Sequence, residues 1–215
     1  MADNDSRSGL RYTTPEIIDF VDHIHGGHDS VLARAFAVPQ GVPAIQVSQS
    51  DGQLLYVLLR LLDAKKVVEI GTLVGYSAIR IARALSRGGR LWTIEHDPYH
   101  AALARGNIAA AGLSQTVTVL LGTALDRLHD LEDQAPFDAV FIDADKVNYD
   151  HYGRWALDNL RPGGLVIGDN AYLFGELMTD KAEAQAMRAF HELVAATCDS
   201  VCAPTPDGMV VGIKR

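Results

Sequence analysis

Cysteine is scarce in this sequence. Cys198 and Cys202 are the two in 215 residues, too few for a disulfide framework, and they read as reduced thiols near a helix end. Long apolar runs are missing too. None approaches the roughly 18 residues that a membrane-spanning helix needs. Positive charge is in short supply, with 19 Lys and Arg against 27 Asp and Glu, a net charge of −8. That balance disfavours broad binding to a phosphate backbone. The opening Met-Ala-Asp-Asn-Asp-Ser is polar and acidic, unlike a secretory signal, so the cytoplasm is the expected compartment. Internal repeats and low-complexity tracts are also lacking. What remains is a chain with ordinary apolar and charged content and enough length for one domain with a sizeable core.

The strongest local signal is Val67-Val68-Glu69-Ile70-Gly71-Thr72-Leu73-Val74-Gly75-Tyr76-Ser77. An apolar run closes on an acid, a Gly-x-x-x-Gly turn follows, and then a helix-forming segment. This reads as a buried parallel strand, a tight turn and a helix N-terminus. Such turns bind nucleotide-like ligands at the carboxyl edge of an open sheet, although the same glycines also serve to pack a helix on a strand. The dinucleotide fingerprint G-x-G-x-x-G is not met, because Leu73 stands where its second glycine belongs. Glu69 would repel a pyrophosphate. An adenosyl ligand with a cationic centre suits the turn better.

Around this stretch the chain alternates strand and helix. Residues 1–12 are expected to be loose. A helix starts at Pro15 with Thr14 as its N-cap and stops at Gly26-Gly27. His23, His25 and His28 crowd that corner and read as a solvated helix end or, alternatively, a metal site. A short helix is expected over 29–37, and a Leu-rich helix after residue 53. Strands are expected at 67–70, 90–95, 117–121, 137–142 and 165–168. Helices are expected at 76–85, 98–111 (closed by Gly112), 124–131, 148–160 and 181–198. Strands 201–204 and 209–214 flank Pro206-Asp207-Gly208, a hairpin signal. The fold class is therefore α/β: five parallel strands, an antiparallel C-terminal hairpin, and extra N-terminal helices.

Polar residues gather at the expected carboxyl ends of the strands. Glu95 ends the second strand, placed to accept hydrogen bonds from both hydroxyls of a ribose or simply to cap the next helix. Gly122-Thr123-Ala124 ends the third, where an adenine ring could lie. Asp143, Asp169 and Asn170 end the fourth and fifth. Two carboxylates and an amide oxygen form a hard set suited to Mg²⁺, Mn²⁺ or Ca²⁺. Lys146 follows, and a lysine near a cation can serve as a base. The plainer alternative is a polar rim in which Lys146 pairs with an acid such as Asp145.

Taken together, Glu-Ile-Gly-Thr-Leu-Val-Gly-Tyr-Ser, Phe-Ile-Asp-Ala-Asp-Lys with Tyr149 and Tyr152 beyond it, and Arg-Pro-Gly-Gly…Gly-Asp-Asn resemble the cation-dependent class I O-methyltransferases of the catechol and caffeoyl-CoA type. The resemblance covers roughly residues 40–215. It implies a Rossmann-like single domain with a seven-stranded, mostly parallel sheet, in which residues 1–40 form a variable helical cap. It implies that Val47, Glu69, Gly71, Thr72, Ser77, Glu95 and Ala124 line an S-adenosylmethionine site that Asp143 also touches. It further implies that Asp143, Asp169 and Asn170 hold Mg²⁺, that Lys146 is the base, and that the protein is a homodimer. The implied reaction is methylation of a small aromatic acceptor with vicinal hydroxyls. One departure stands out: Leu173 falls where relatives often carry an aromatic, with Tyr172 before it and Phe174 after. The rival readings are a tRNA hydroxyuridine methyltransferase, an NAD-dependent oxidoreductase, and an inactive ligand-binding α/β protein.

Overall fold

The computed structural model describes residues 14–215, so the loose segment expected over 1–12 lies outside the described residues. Five parallel strands make up most of the sheet: β1 (Lys66–Ile70), β2 (Arg90–Glu95), β3 (Val117–Leu121), β4 (Phe137–Ile142) and β5 (Leu160–Gly168). Two antiparallel strands, β6 (Cys198–Ala203) and β7 (Met209–Lys214), complete it in the order β3-β2-β1-β4-β5-β7-β6. Parallel strands are covered on both faces and so run apolar. Val67, Val68 and Ile70 of β1 are all buried, and Glu69 among them is a buried acid.

Side chains of β4 alternate between two cores with the period-2 rule. Phe141 faces Leu55, Leu59 and Ile79 on one side, while Val140 and Ile142 face Tyr149, Met187 and Phe190 on the other. The first side is covered by α2 (Ser30–Phe36), α3 (Gln49–Leu61), α4 (Tyr76–Ala84) and α5 (Pro98–Ala110). The second is covered by α6 (Ala124–His129), α7 (Tyr149–Asn159) and α8 (Ala182–Thr197). Side-chain caps set several starts. Thr14 accepts from Ile17 N ahead of α1 (Pro15–His25), with Pro15 in the first turn, and Ser48 accepts from Asp51 N at α3. Among the described residues no helix is long and apolar enough to cross a membrane.

Several expected boundaries move, among them the start of the Leu-rich helix, which lies at Gln49 rather than after residue 53. β5 begins at Leu160, not Leu165, because Arg161–Gly164 forms an irregularity between two paired stretches, Phe137↔Leu160 and Ala139↔Leu165. The Arg161 guanidinium pins it, donating to Asp138 Oδ1 over 2.7 Å. α7 starts at Tyr149, after a 3₁₀ turn over Lys146–Asn148. β6 starts at Cys198, so both cysteines lie in that strand, and both are free thiols.

Strand order reverses between β1 and β4, and the crevice at this switch point is where open α/β sheets bind ligands. Here the ladder runs on past the strand ends. Asp143 N donates to Ile70 O (2.9 Å), Asp169 N to Ile142 O (3.0 Å) and Gly71 N to Ile94 O (3.1 Å). Each loop therefore starts in line with its neighbour. Gly71 sits at φ +98°, and a Cβ there would lie 1.9 Å from Asp143 O, so only glycine fits. Gly88, also at positive φ (+79°), meets nothing within 4 Å. Gly71→Ala should therefore cost about 3 kcal/mol or more, and Gly88→Ala about 1 kcal/mol. Urea denaturation of both variants tests this ranking; equal losses would refute it.

Candidate active site

A cleft of about 1020 Å³ opens at this edge, large enough for two small ligands side by side. Val47, Gly71, Thr72, Ser77, Glu95, Ala124, Asp143, Lys146, Asp169 and Asn170 all line it. Glu69 does not. It is 0% exposed and lies behind the wall, where Thr93 Oγ1 donates to its Oε2 over 2.6 Å and Thr72 Oγ1 meets Thr93 Oγ1 at 2.5 Å. Ser77 also bonds this carboxyl, while Oε1 has no partner. Burial pushes Glu69 up to about 8, above its ordinary 4.5.

The turn after β1 explains itself once Glu95 is placed. Leu73 adopts the left-handed region (φ 48°) although it is not glycine. Leu73 N and Thr72 N both donate to Glu95 Oε2, at 2.8 and 3.3 Å, and Asp97 N donates to Oε1 at 2.9 Å. Turn amides that could hold a phosphate are thus occupied by the chain's own carboxylate. Oε2 thus has both lone pairs engaged, while Oε1, with one amide, keeps a further lone pair for a ligand hydroxyl. Gly75, the second glycine, serves packing: at φ +84° a Cβ would press on Ala104 of α5 at 3.3 Å.

At the ends of β4 and β5 the chain gathers its reactive groups. Lys146 Nζ donates to Asp143 Oδ1 (3.0 Å) and to the Tyr149 hydroxyl (3.1 Å). Tyr149 shares its own proton between Ile142 O (3.0 Å) and Asp169 O (2.9 Å), so one buried hydroxyl ties both strand ends to the lysine. The alternative partner for Lys146 is otherwise engaged: Asp145 accepts from Tyr152 Oη and Asn148 Nδ2, both at 2.5 Å. β4 has already ended at Ile142, so Asp145 does not continue its face. Asp169 is 3% exposed and its Oδ1 has no hydrogen-bond partner. Burial, then the neighbouring Asp143 carboxylate, lifts Asp169 far above the usual carboxylate range. A buried, unpaired acid oxygen beside a second carboxylate fits a cation, and Asn170, at φ 53°, adds an amide to the same wall.

Some cleft residues escaped the sequence. Asp51 lines it from the first turn of α3, where the N-cap Ser48 Oγ donates to Asp51 Oδ2 over 2.8 Å. His100 of α5 reaches within 4.0 Å of Glu95 Oε1 with no sequence signal. Leu173 is buried and the neighbouring Phe174 is the ring on the cleft. The histidine corner divides. His23 and His25 are exposed, whereas His28 turns inward, with Nε2 2.6 Å from Tyr76 Oη. Among the described residues no three His, Cys, Asp or Glu side chains gather to hold a metal.

A doubly covered sheet closed by an antiparallel hairpin, with a carboxylate-filled first turn and acids on the next strand ends, defines a Rossmann-like methyltransferase. The comparisons agree. The O-methyltransferase family matches residues 30–214. A catechol O-methyltransferase of Niastella koreensis is 41% identical, covering 93% of this chain and 94% of that protein. One from Mycobacterium tuberculosis is 40% identical over 81% of this chain and 80% of its own length. The solved O-methyltransferase of Bacillus cereus in complex with SAH superposes with a TM-score of 0.87 at 37% identity, covering 93% of this chain and 97% of that one. The chain belongs to the O-methyltransferase family and is a methyltransferase of the catechol and caffeoyl-CoA type. The oxidoreductase and inactive-binder readings are set aside.

The buried Glu69 yields a pH signature. A carboxyl raised in the fold keeps its proton where the unfolded chain has lost it. Its contribution to stability is whole below the ordinary 4.5 and is lost as pH rises through about 8. Glu69→Gln keeps a neutral partner for Thr93, so Tm should fall less between about pH 5 and 8.5 than in the parent. Parallel Tm–pH curves for the two proteins would show that Glu69 stays ionised in the fold.

Proposed function

We propose that this enzyme transfers the methyl group of S-adenosylmethionine to one hydroxyl of a small aromatic acceptor with vicinal hydroxyls, and that it requires a divalent cation. The observation that carries this reading is the Lys146–Asp143 contact beside the unpaired Asp169 Oδ1 on one cleft wall. The turn after β1, with Val47, Gly71, Thr72, Ser77, Glu95 and Ala124 and with Glu69 behind it, is read as the adenosyl side. Glu95 has acceptor capacity for the ribose, and Asp143 borders the methyl-donor end. Asp143, Asp169 and Asn170 would hold Mg²⁺, with Mn²⁺ or Ca²⁺ as substitutes. Bound there, the ion supplies Lewis acidity toward both acceptor oxygens.

Lys146 acts as the base. It removes the proton from the hydroxyl that will react, and Tyr149 holds its Nζ toward the cleft while doing so. The acceptor oxygen then takes the methyl carbon, the sulfonium leaves as a thioether, and the proton rests on Nζ. The reacting oxygen and sulfonium lose opposite charges together, so a walled site that excludes water favours the step. Positioning of the two reactants supplies much of the rate.

The apolar stripe of α1 supports the homodimer reading. Ile17, Phe20, Val21 and Ile24 fall on one helical face and all are exposed. Asp22, on a different face, holds α1 to the body through Ser50. The free thiols of Cys198 and Cys202 suit a reducing compartment, and the cytoplasm is proposed for the enzyme.

Three outcomes are expected. Chelation of divalent ions should abolish turnover, and Mg²⁺ or Mn²⁺ should restore it. Lys146→Ala should lower kcat by about 10²–10⁴, less at high pH where solvent removes the phenolic proton; pH–rate profiles on a catechol and its monomethyl ether measure this. Near-normal kcat in the variant at neutral pH would remove Lys146 as base. For the assembly, light scattering should give twice the chain mass, and Phe20→Asp should halve it. A monomeric parent would end the dimer reading.

A further inference from the structure

The loop after β5 takes a costly path. Asn170, Leu173 and Phe174 sit at φ 53°, 49° and 53°. None is glycine, and all three lie in the left-handed region. Such residues persist only where their surroundings over-determine the backbone. Asn170 is the first of them, and with Asp169 it is a candidate cation ligand on the cleft wall. Where its side chain leaves the backbone is set by the planes of the peptides around it.

Those peptides are held one after another. Tyr149 of α7 donates to Asp169 O over 2.9 Å. Asn170 O accepts from Leu173 N (2.8 Å), and Ala171 N donates to Gly208 O (2.9 Å). In the next peptide Tyr172 N donates to Asp207 O (2.9 Å), and the carbonyl of that peptide, Ala171 O, lies 2.9 Å from His191 Nε2 of α8. A carbonyl only accepts, so Nε2 carries the proton. The imidazolium would donate there equally well, so the contact does not depend on the charge of the ring. Tyr149 and His191 therefore reach the carbonyls on either side of Asn170 from two different helices.

His191 is the one of this pair that stands clear of the proposed base, since Tyr149 also touches Lys146. Ala171 is 0% exposed and packs in the second core. Without the imidazole its carbonyl loses a donor in an apolar setting, and the peptide next to Asn170 must turn to find another. α8 grips the loop a second time, farther on: Arg188 Nη1 donates to Leu177 O (2.6 Å) and Thr179 O (2.8 Å). Only the His191 contact falls beside the candidate ligands.

We infer that His191 is a positioning residue for the cation site. Its Nε2–H fixes the peptide after Asn170 and so holds the Asp169–Asn170 pair in place on the cleft wall. The inference rests on the reading that these residues hold a divalent ion, and it gives His191 no part in proton transfer.

The test is titration of the full chain with Mn²⁺, in saturating S-adenosylmethionine and without acceptor, followed by the electron paramagnetic resonance signal of the free ion. His191→Phe keeps a ring but no donor and should weaken Mn²⁺ binding about ten-fold, as loss of a contact that orients a metal ligand does. His191→Leu, a smaller side chain, should do the same, which excludes a clash of the new ring. His191→Gln restores a donor and should bind Mn²⁺ nearly as the parent does. Arg188→Met removes two hydrogen bonds between the same helix and the same loop and should leave Mn²⁺ affinity unchanged. Calorimetry should give the same S-adenosylmethionine affinity for all of these proteins. In turnover of a catechol, His191→Phe should need more Mg²⁺ for half-maximal rate, while kcat at saturating Mg²⁺ holds. Parent-like Mn²⁺ affinity in the phenylalanine and leucine variants, or an equal loss in Arg188→Met, would overturn the inference and leave the cation site standing. A parent that binds no Mn²⁺ would overturn both.

Discussion

The close approach of Gly71 to the Asp143 carbonyl is the constraint on which the site depends. The chain leaving β1 and the chain leaving β4 touch at a point where a Cβ would lie 1.9 Å from an oxygen. This contact lets the switch-point crevice be narrow at its floor and brings the turn after β1 against the acids after β4. The amide ladder past the strand ends then sets neighbouring loops in register. Chemistry that needs a donor pocket and an acceptor pocket side by side gets both from one glycine and a few backbone hydrogen bonds.

Electrostatics finishes what the backbone begins. The nest of amides after β1 would attract an anion, and the chain supplies Glu95 to it. The cleft is therefore left acidic rather than basic, and a cationic ligand is favoured there. Burying Glu69 behind that wall keeps a proton on it at neutral pH, so the acid that ends β1 contributes hydrogen bonds more than charge. Tyr149 acts at the other end, where one hydroxyl joins the carbonyls of Ile142 and Asp169 to the Lys146 ammonium.

Most of the architecture was legible because it rests on local rules. Apolar strands, glycine turns and capped helices announced the five parallel strands and the hairpin within a few residues. The misplaced starts, β5 at Leu160 and β6 at Cys198, lie where tertiary pairing overrides local pattern: Arg161 and Gly163 look like a turn until Asp138 holds them beside β4. The polar residues at strand ends were legible for the same reason, since order along the chain maps onto order along one sheet edge. What escaped was contact between distant segments. Asp51 hides behind a capping motif, His100 carries no signal, and the inward turn of His28 depends on Tyr76 being 48 residues away. Glu69 reads as a wall residue, and only packing shows it one layer deeper.

The buried Arg80 ties the N-terminal helices to the candidate site. Its guanidinium donates to Gln53 Oε1 (2.8 Å), to Tyr76 Oη (3.1 Å) and to the carbonyl of Gly26. Tyr76 in turn meets His28, and Tyr76 is the first residue of the helix that follows the β1 turn. The family model's match starts at residue 30, just after Gly26 and His28. Cutting the chain at that border would leave a 3%-exposed cation short of an acceptor, a loss that costs more than a surface bond. The segment that carries Gly26 and His28 is therefore tied by hydrogen bonds to the helix that opens the candidate site.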